Sequence, residues 1–95
     1  MRLAAVLRVL RSLEPTIREK FGVQRIGVFG SVARDVADED SDVDLLVEMP
    51  PDLYAMVHLK EMLEDALQSR VDLIRYRKDL SPFLKARIDR EAVNV

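Results

Sequence analysis

At 95 residues the chain has room for one domain and one small core, so residues 1–95 are expected to fold as a single unit. Its 48% apolar and 34% charged residues exclude the disordered, collagenous and low-complexity classes. A net charge of −2 argues against nucleic-acid binding by phosphate neutralisation alone, and the absence of cysteine excludes disulfides, thiolate catalysis and Cys-ligated zinc.

The first element reads as an amphipathic helix. Leu3, Val6, Leu7, Leu10, Leu13, Ile17 and Phe21 recur every three or four residues, with Arg8, Arg11, Arg18 and Lys20 between them. Pro15 has no N–H for the carbonyl of Arg11, which predicts a kink or a break into two helices there, and Gly22 supplies the stop. The β-rich run from Arg25 to Phe29, closed by Gly30, predicts a first strand, and residues 43–48 and 71–76 read as two more. Beyond Pro50 and Pro51, a helix at about 54–69 carries the stripe Met56, Leu59, Leu63, Ala66 and Leu67. Ser81 as N-cap and Pro82 at the first helical position open a last helix that carries Phe83, Leu84 and Ile88 to about Arg90. A helix between the second and third strands permits a parallel pair through a crossover, so the fold class is α/β (α+β), a small mixed sheet of three to four strands flanked by helices. No apolar run approaches the ~20 residues of a membrane span, so no signal peptide, anchor or membrane partner is expected. The cysteine-free composition suits a cytoplasmic protein.

Charge is unevenly spread: residues 1–34 carry +5, residues 35–48 hold seven acids and no base, and residues 70–90 carry +4. Within the acidic stretch, Asp38, Glu39 and Asp40 read as a solvated loop, whereas Asp42 and Asp44 lead into a strand, where acids are disfavoured. Strand alternation puts Asp42, Asp44 and Leu46 on one side and Val43, Leu45 and Val47 toward the core. Two carboxylates so spaced can converge on one hard cation such as Mg²⁺, which takes a few carboxylates together with substrate phosphate oxygens. Asp72 interrupts an apolar strand in the same manner, and a parallel neighbour would place it beside Asp44; its structural alternative is an ion pair with a nearby arginine. Three acids so placed can serve in-line phosphoryl or nucleotidyl displacement assisted by metal. Gly30 and Ser31, in a glycine turn before a helix, can offer N–H and hydroxyl groups to phosphates, and Arg34 a charge-assisted contact.

Other constellations fail. A calcium loop starting at Asp38 would have Val43 where Gly is needed and Met49 where Glu is needed. No Gly-Lys-Ser/Thr run supports a Walker loop, and Ser31 lacks the glycine two residues on that a nucleophile elbow requires. The lone His58 reads as a surface helix residue, and Tyr54 and Tyr76 as packing residues.

Gly30-Ser31, then ten residues, then Asp42-x-Asp44, with Asp72 in a later strand, resembles the DNA polymerase β-type nucleotidyltransferase superfamily. Val28 to Arg34, Asp40 to Val47, Val71 to Ile74 and the closing Ile88-x-x-Glu91-Ala92-Val93 together resemble its minimal branch, the MNT proteins, across essentially the whole chain. The resemblance implies the polymerase β-like fold, phosphate contacts at Gly30 and Ser31, Mg²⁺ ligation by Asp42 and Asp44, and a role for Asp72 in assisting the attacking hydroxyl; read from the residues alone, Arg34 adds a phosphate contact and Asp72 a third metal carboxylate. It implies an antitoxin that transfers AMP from ATP to a tyrosine hydroxyl of a helical HEPN toxin. So short a chain would rely on that partner to present the acceptor, and a homo-oligomer or a hetero-oligomer with the toxin is compatible with it. Two other functions fit the same residues, nucleotidyl transfer to a small-molecule alcohol and neutralisation of a toxin by binding alone. The latter is motivated by Asp35, which stands where MNT proteins usually carry glycine. The basic face of Arg75, Arg77, Lys78 and Arg87 is the expected docking surface for an acidic partner.

Overall fold

The structure, a computed structural model, describes residues Met1–Val95. The first apolar stripe becomes helix α1, Leu3–Phe21, which buries Val6, Leu10, Ile17 and Phe21. Gly22 ends it in the left-handed conformation (φ 68°), its N–H donating to Arg18 O at 3.1 Å. The break expected at Pro15 does not occur, and the helix runs through it. Pro15 and Arg11, whose carbonyl it frees, are both exposed residues, while the buried residues before and after them hold both halves on one core.

Strand β1 (Arg25–Phe29) leads into the single turn α2 (Gly30–Ala33); strand β2 (Val43–Glu48), helix α3 (Leu53–Leu67), strand β3 (Val71–Arg75), helix α4 (Pro82–Glu91) and the short strand β4 (Val93–Asn94) follow. Asp52 caps α3, its Oδ1 accepting from Ala55 N–H at 3.0 Å, and Gln68 closes that helix in the left-handed region (φ 52°). Ser81 occupies the N-cap position of α4 as expected, though its side chain makes no capping bond; its carbonyl accepts from Lys85 N–H.

The sheet order is β3-β2-β1-β4, with β2 and β3 parallel and the other two pairs antiparallel. The parallel pair is the one joined through α3, as the crossover requires. Gly27 admits the fourth strand, since a Cβ there would sit 3.0 Å from Asn94 Oδ1 and 3.2 Å from Val93 O. Both faces of the sheet are covered. Val43, Leu45 and Val47 pack with Val6, Leu10, Leu59 and Leu63, while Leu46, on the side shared with Asp44, packs with Phe29 and Ile88 under α4. Burying a side chain of this size contributes about 1.5–3 kcal/mol. No helix is long and apolar enough to cross a membrane. Contrary to the packing role expected for it, Tyr54 is 82% exposed, and Phe83 of α4 is 91% exposed.

Candidate active site

The parallel register pairs Asp44 of β2 with Asp72 of β3, and the antiparallel register pairs Asp44 with Phe29 of β1. Asp44 therefore sits between the strand that ends in the Gly30 turn and the strand that supplies the third acid. Gly30 has φ 75°, and a Cβ on it would fall onto the Asp44 carboxylate, with Cγ only 3.0 Å away. Glycine is required twice at this point, for a conformation that side chains disfavour and for space that Asp44 occupies.

Burial pushes the Asp44 carboxyl above its usual range, and the negative charges of Asp72 and, more weakly, Asp42 push it the same way; Arg87 and Arg34 pull against them. Asp42, just before β2, is held by Arg70, with Nε 3.1 Å from Oδ1. The expected alternative for Asp72 was an ion pair with arginine; the structure gives that pair to Asp42 and none to Asp72, which is exposed. No three acidic or imidazole side chains converge closely enough to form a ready metal cage. The donor set nonetheless fits Mg²⁺, which favours carboxylate oxygens, keeps its own waters and needs only a partial protein shell beside phosphate oxygens. Asp42, Asp44 and Asp72 would hold it.

Ser31 is half-buried in the first turn after Gly30. Arg34 closes that turn, its N–H donating to Gly30 O at 3.2 Å. Its guanidinium reaches Glu91 Oε1 at 2.9 Å. Asp35 adopts φ 57°, so the position does call for the left-handed backbone that glycine gives most easily. Its carboxylate accepts from Leu3 N–H at 3.1 Å, where α1 begins with no cap of its own.

The basic face expected from the sequence is divided. Arg75 donates to Met49 O and Arg77 pairs with Asp79, whereas Arg87 lies over Phe29, 5.9 Å from the ring centroid, and binds Glu91 Oε2 at 3.3 Å. Arg87 thus acts on the Asp44 carboxyl and is joined through Glu91 to Arg34, whereas the sequence reading put Arg87 on a partner-docking face and gave Glu91 no site role. The signal was the Ile88-x-x-Glu91 phrase, which holds the acid four residues after Arg87. The acids at 38–40 behave as a loop: Asp38 Oδ1 accepts from Asp40 N–H at 2.9 Å and Ser41 Oγ at 3.0 Å, and Glu39 and Asp40 are exposed. His58 is exposed on α3, as expected.

The nucleotidyltransferase domain family matches residues 10–94. The protein adenylyltransferase MntA of Thermococcus cleftensis is 43% identical over 89 residues, spanning 92% of this chain and 89% of that protein. A solved structure provisionally described as a minimal nucleotidyltransferase superimposes with a TM-score of 0.81 at 39% identity, covering 100% of this chain and 97% of that one. A toxin–antitoxin structure with AMP-PNP gives a TM-score of 0.69 at 25% identity, covering 99% of this chain and 72% of that one.

Proposed function

The chain belongs to the nucleotidyltransferase domain family, and from that premise we propose that residues 1–95 act as one catalytic domain that moves AMP from ATP to a tyrosine hydroxyl of a HEPN toxin, with Mg²⁺ as cofactor. The carrying observation is the adjacency of Asp44 and Asp72 in register, directly beneath the positive-φ Gly30.

In this reading the Gly30–Ser31 turn and Arg34 bind and orient the triphosphate, and Asp42, Asp44 and Asp72 hold the metal. Magnesium, when bound, supplies charge neutralisation on the phosphates and acidifies the acceptor hydroxyl. Asp72, exposed and free of an ion pair, takes the hydroxyl proton as the acceptor oxygen forms its bond to the α-phosphorus. The α–β phosphoanhydride bond breaks, and pyrophosphate leaves with its electron pair. Likeness supports a protein as acceptor, since MntA of Thermococcus cleftensis is named a protein adenylyltransferase and the AMP-PNP structure is a toxin–antitoxin complex; tyrosine is the proposed residue.

The test is incubation of the purified chain and the protein encoded beside it with isotopically labelled ATP and Mg²⁺, followed by mass measurement of both. One or more AMP increments on the neighbour, mapped to tyrosine, are expected. An unmodified neighbour together with calorimetrically silent ATP would sink the enzymatic reading.

A further inference from the structure

Glu91 ends α4, and the proposed reaction leaves it without a task. Its side chain is only 11% exposed, and it accepts from two guanidiniums at once, Arg34 Nη1 on Oε1 at 2.9 Å and Arg87 Nε on Oε2 at 3.3 Å. Burial alone would raise its carboxyl, but the hydrogen bonds and charges of Arg34 and Arg87 outweigh it and hold the group below the ordinary carboxylate range. Glu91 is therefore an anion, shared between two cations.

Those cations come from distant parts of the chain and meet at one place. Arg34 closes the turn that starts at Gly30, while Arg87 reaches from α4 across the ring of Phe29, the residue before Gly30. Two guanidiniums this close repel unless an acid lies between them. Glu91 takes a single nitrogen from each fork, and neither guanidinium makes another hydrogen bond to protein, so the remaining planar donors are left for an anion. Two guanidiniums and one carboxylate carry +1 together, which suits a polyanionic ligand that also brings a metal.

We infer that Glu91 is a positioning residue for nucleotidyl transfer, holding Arg34 and Arg87 as a paired guanidinium face beside the Gly30 turn, with Arg87 contacting the nucleotide phosphates in its own right. The inference rests on the proposed function and adds to its site a residue from α4. It also moves Arg87 from a partner-docking face to the nucleotide.

Calorimetry with ATP and Mg²⁺, paired with steady-state transfer assays, tests it on the full chain. Glu91→Gln keeps the shape of the side chain and removes its charge; ATP affinity should fall about tenfold and KM for ATP rise in step, with kcat within about threefold of the parent. Placed on a background of Arg34→Gln with Arg87→Gln, the same change should alter ATP affinity less than twofold, because no guanidinium remains to be positioned. A purely structural Glu91 would weaken binding equally in both backgrounds, and that outcome overturns the inference. Should Glu91→Gln not fold, Arg87→Gln with Glu91 intact carries the test: a loss of about tenfold in ATP affinity supports the inference, and unchanged affinity overturns it. Failure of the unaltered chain to bind ATP would overturn the proposed function as well, whereas normal binding by the parent, by Glu91→Gln and by Arg87→Gln overturns this inference alone.

Discussion

Strand β2 presents two surfaces of opposite character. Toward α1 and α3 it offers Val43, Leu45 and Val47, each fully buried, while on the other surface it carries Asp44 beside Asp72 before Leu46 returns to apolar packing with Phe29 and Ile88. The first surface gains free energy from every residue. The second places like charges at neighbouring register positions, an arrangement that costs stability unless a cation intervenes. What the difference teaches is that the site and the core cannot be separated along the chain. Successive residues of one strand serve each in turn, so substitutions one position apart should have effects that differ in kind.

The largest contrast should come from removing the acids. Asp42→Ala combined with Asp44→Ala is expected to lower AMP transfer by about a thousandfold or more, equivalent to about 4 kcal/mol of lost transition-state stabilisation, while partner affinity stays within about tenfold. Product mass and a binding isotherm measure the two quantities; transfer at the parent's rate would remove these acids from the chemistry. One residue away, Leu45→Ala should cost about 2–5 kcal/mol in urea unfolding and leave the ATP affinity of the folded protein within about twofold. Gly30→Ala lies between the two surfaces. Its φ of 75° alone costs a side chain about 1–3 kcal/mol, and the added Cβ must displace the Asp44 carboxylate. ATP binding should therefore fall by more than stability does, and equal losses would mean the turn is only structural.

Much of this was legible in the sequence, for definable reasons. The three longer helices and the three longer strands announce themselves because burial imposes a period on apolar residues, and the neighbourhood of Asp44 and Asp72 follows once a crossover helix makes their strands parallel. Of the kink or break expected at Pro15 the break does not occur, because the cost of a helical proline depends on which side of the helix it faces, a tertiary fact. The strand Val93–Asn94 is too short for any alternation to show; it exists because Gly27 gives its backbone room. The Arg34–Glu91–Arg87 cluster was hidden for a related reason. Arg87 and Glu91 stand at the spacing of an ordinary surface ion pair on a helix, and only the packing of α4 against Phe29 brings them to Arg34.

A smaller effect, of opposite sign to the core substitutions, is expected at Asp44. Its folded-state carboxyl titrates above the ordinary value of 3.8, so the folded chain holds that proton more tightly than the unfolded chain does. Between the two values stability falls as pH rises, and above both the ionised group imposes its full cost. Asp44→Asn should consequently raise the melting temperature of chelator-treated protein at neutral pH, and the advantage over the parent should shrink toward zero as pH drops below about 4. A variant less stable than the parent at neutral pH would make Asp44 a structural acid and abolish the contrast between the two surfaces of β2.

The smallest expected effect probes how the Gly30 turn is fastened to the core. Asp35 keeps a left-handed backbone, φ 57°, and gives its carboxylate to Leu3 N–H at the start of α1, where Arg2 offers no side-chain cap. These are two opposed terms. The conformation disfavours any side chain by about 1 kcal/mol, while an exposed cap that also faces the positive end of a helix contributes about 0.5–1 kcal/mol. Asp35→Gly relieves the first and loses the second, so its midpoint in urea should move by no more than about 0.5 kcal/mol equivalent. Asp35→Asn retains an acceptor and tolerates the backbone, and should be equally quiet. Asp35→Ala keeps the strain and discards the cap; it should lose about 0.5–1 kcal/mol, the only clear deficit in the series. Because the carboxylate is turned to Leu3, ATP affinity should stay within about twofold in the glycine variant. An alanine variant as stable as the parent would show that α1 and the Gly30 turn are joined by packing alone, and tighter ATP binding by the glycine variant would show the Asp35 charge acting on the phosphates.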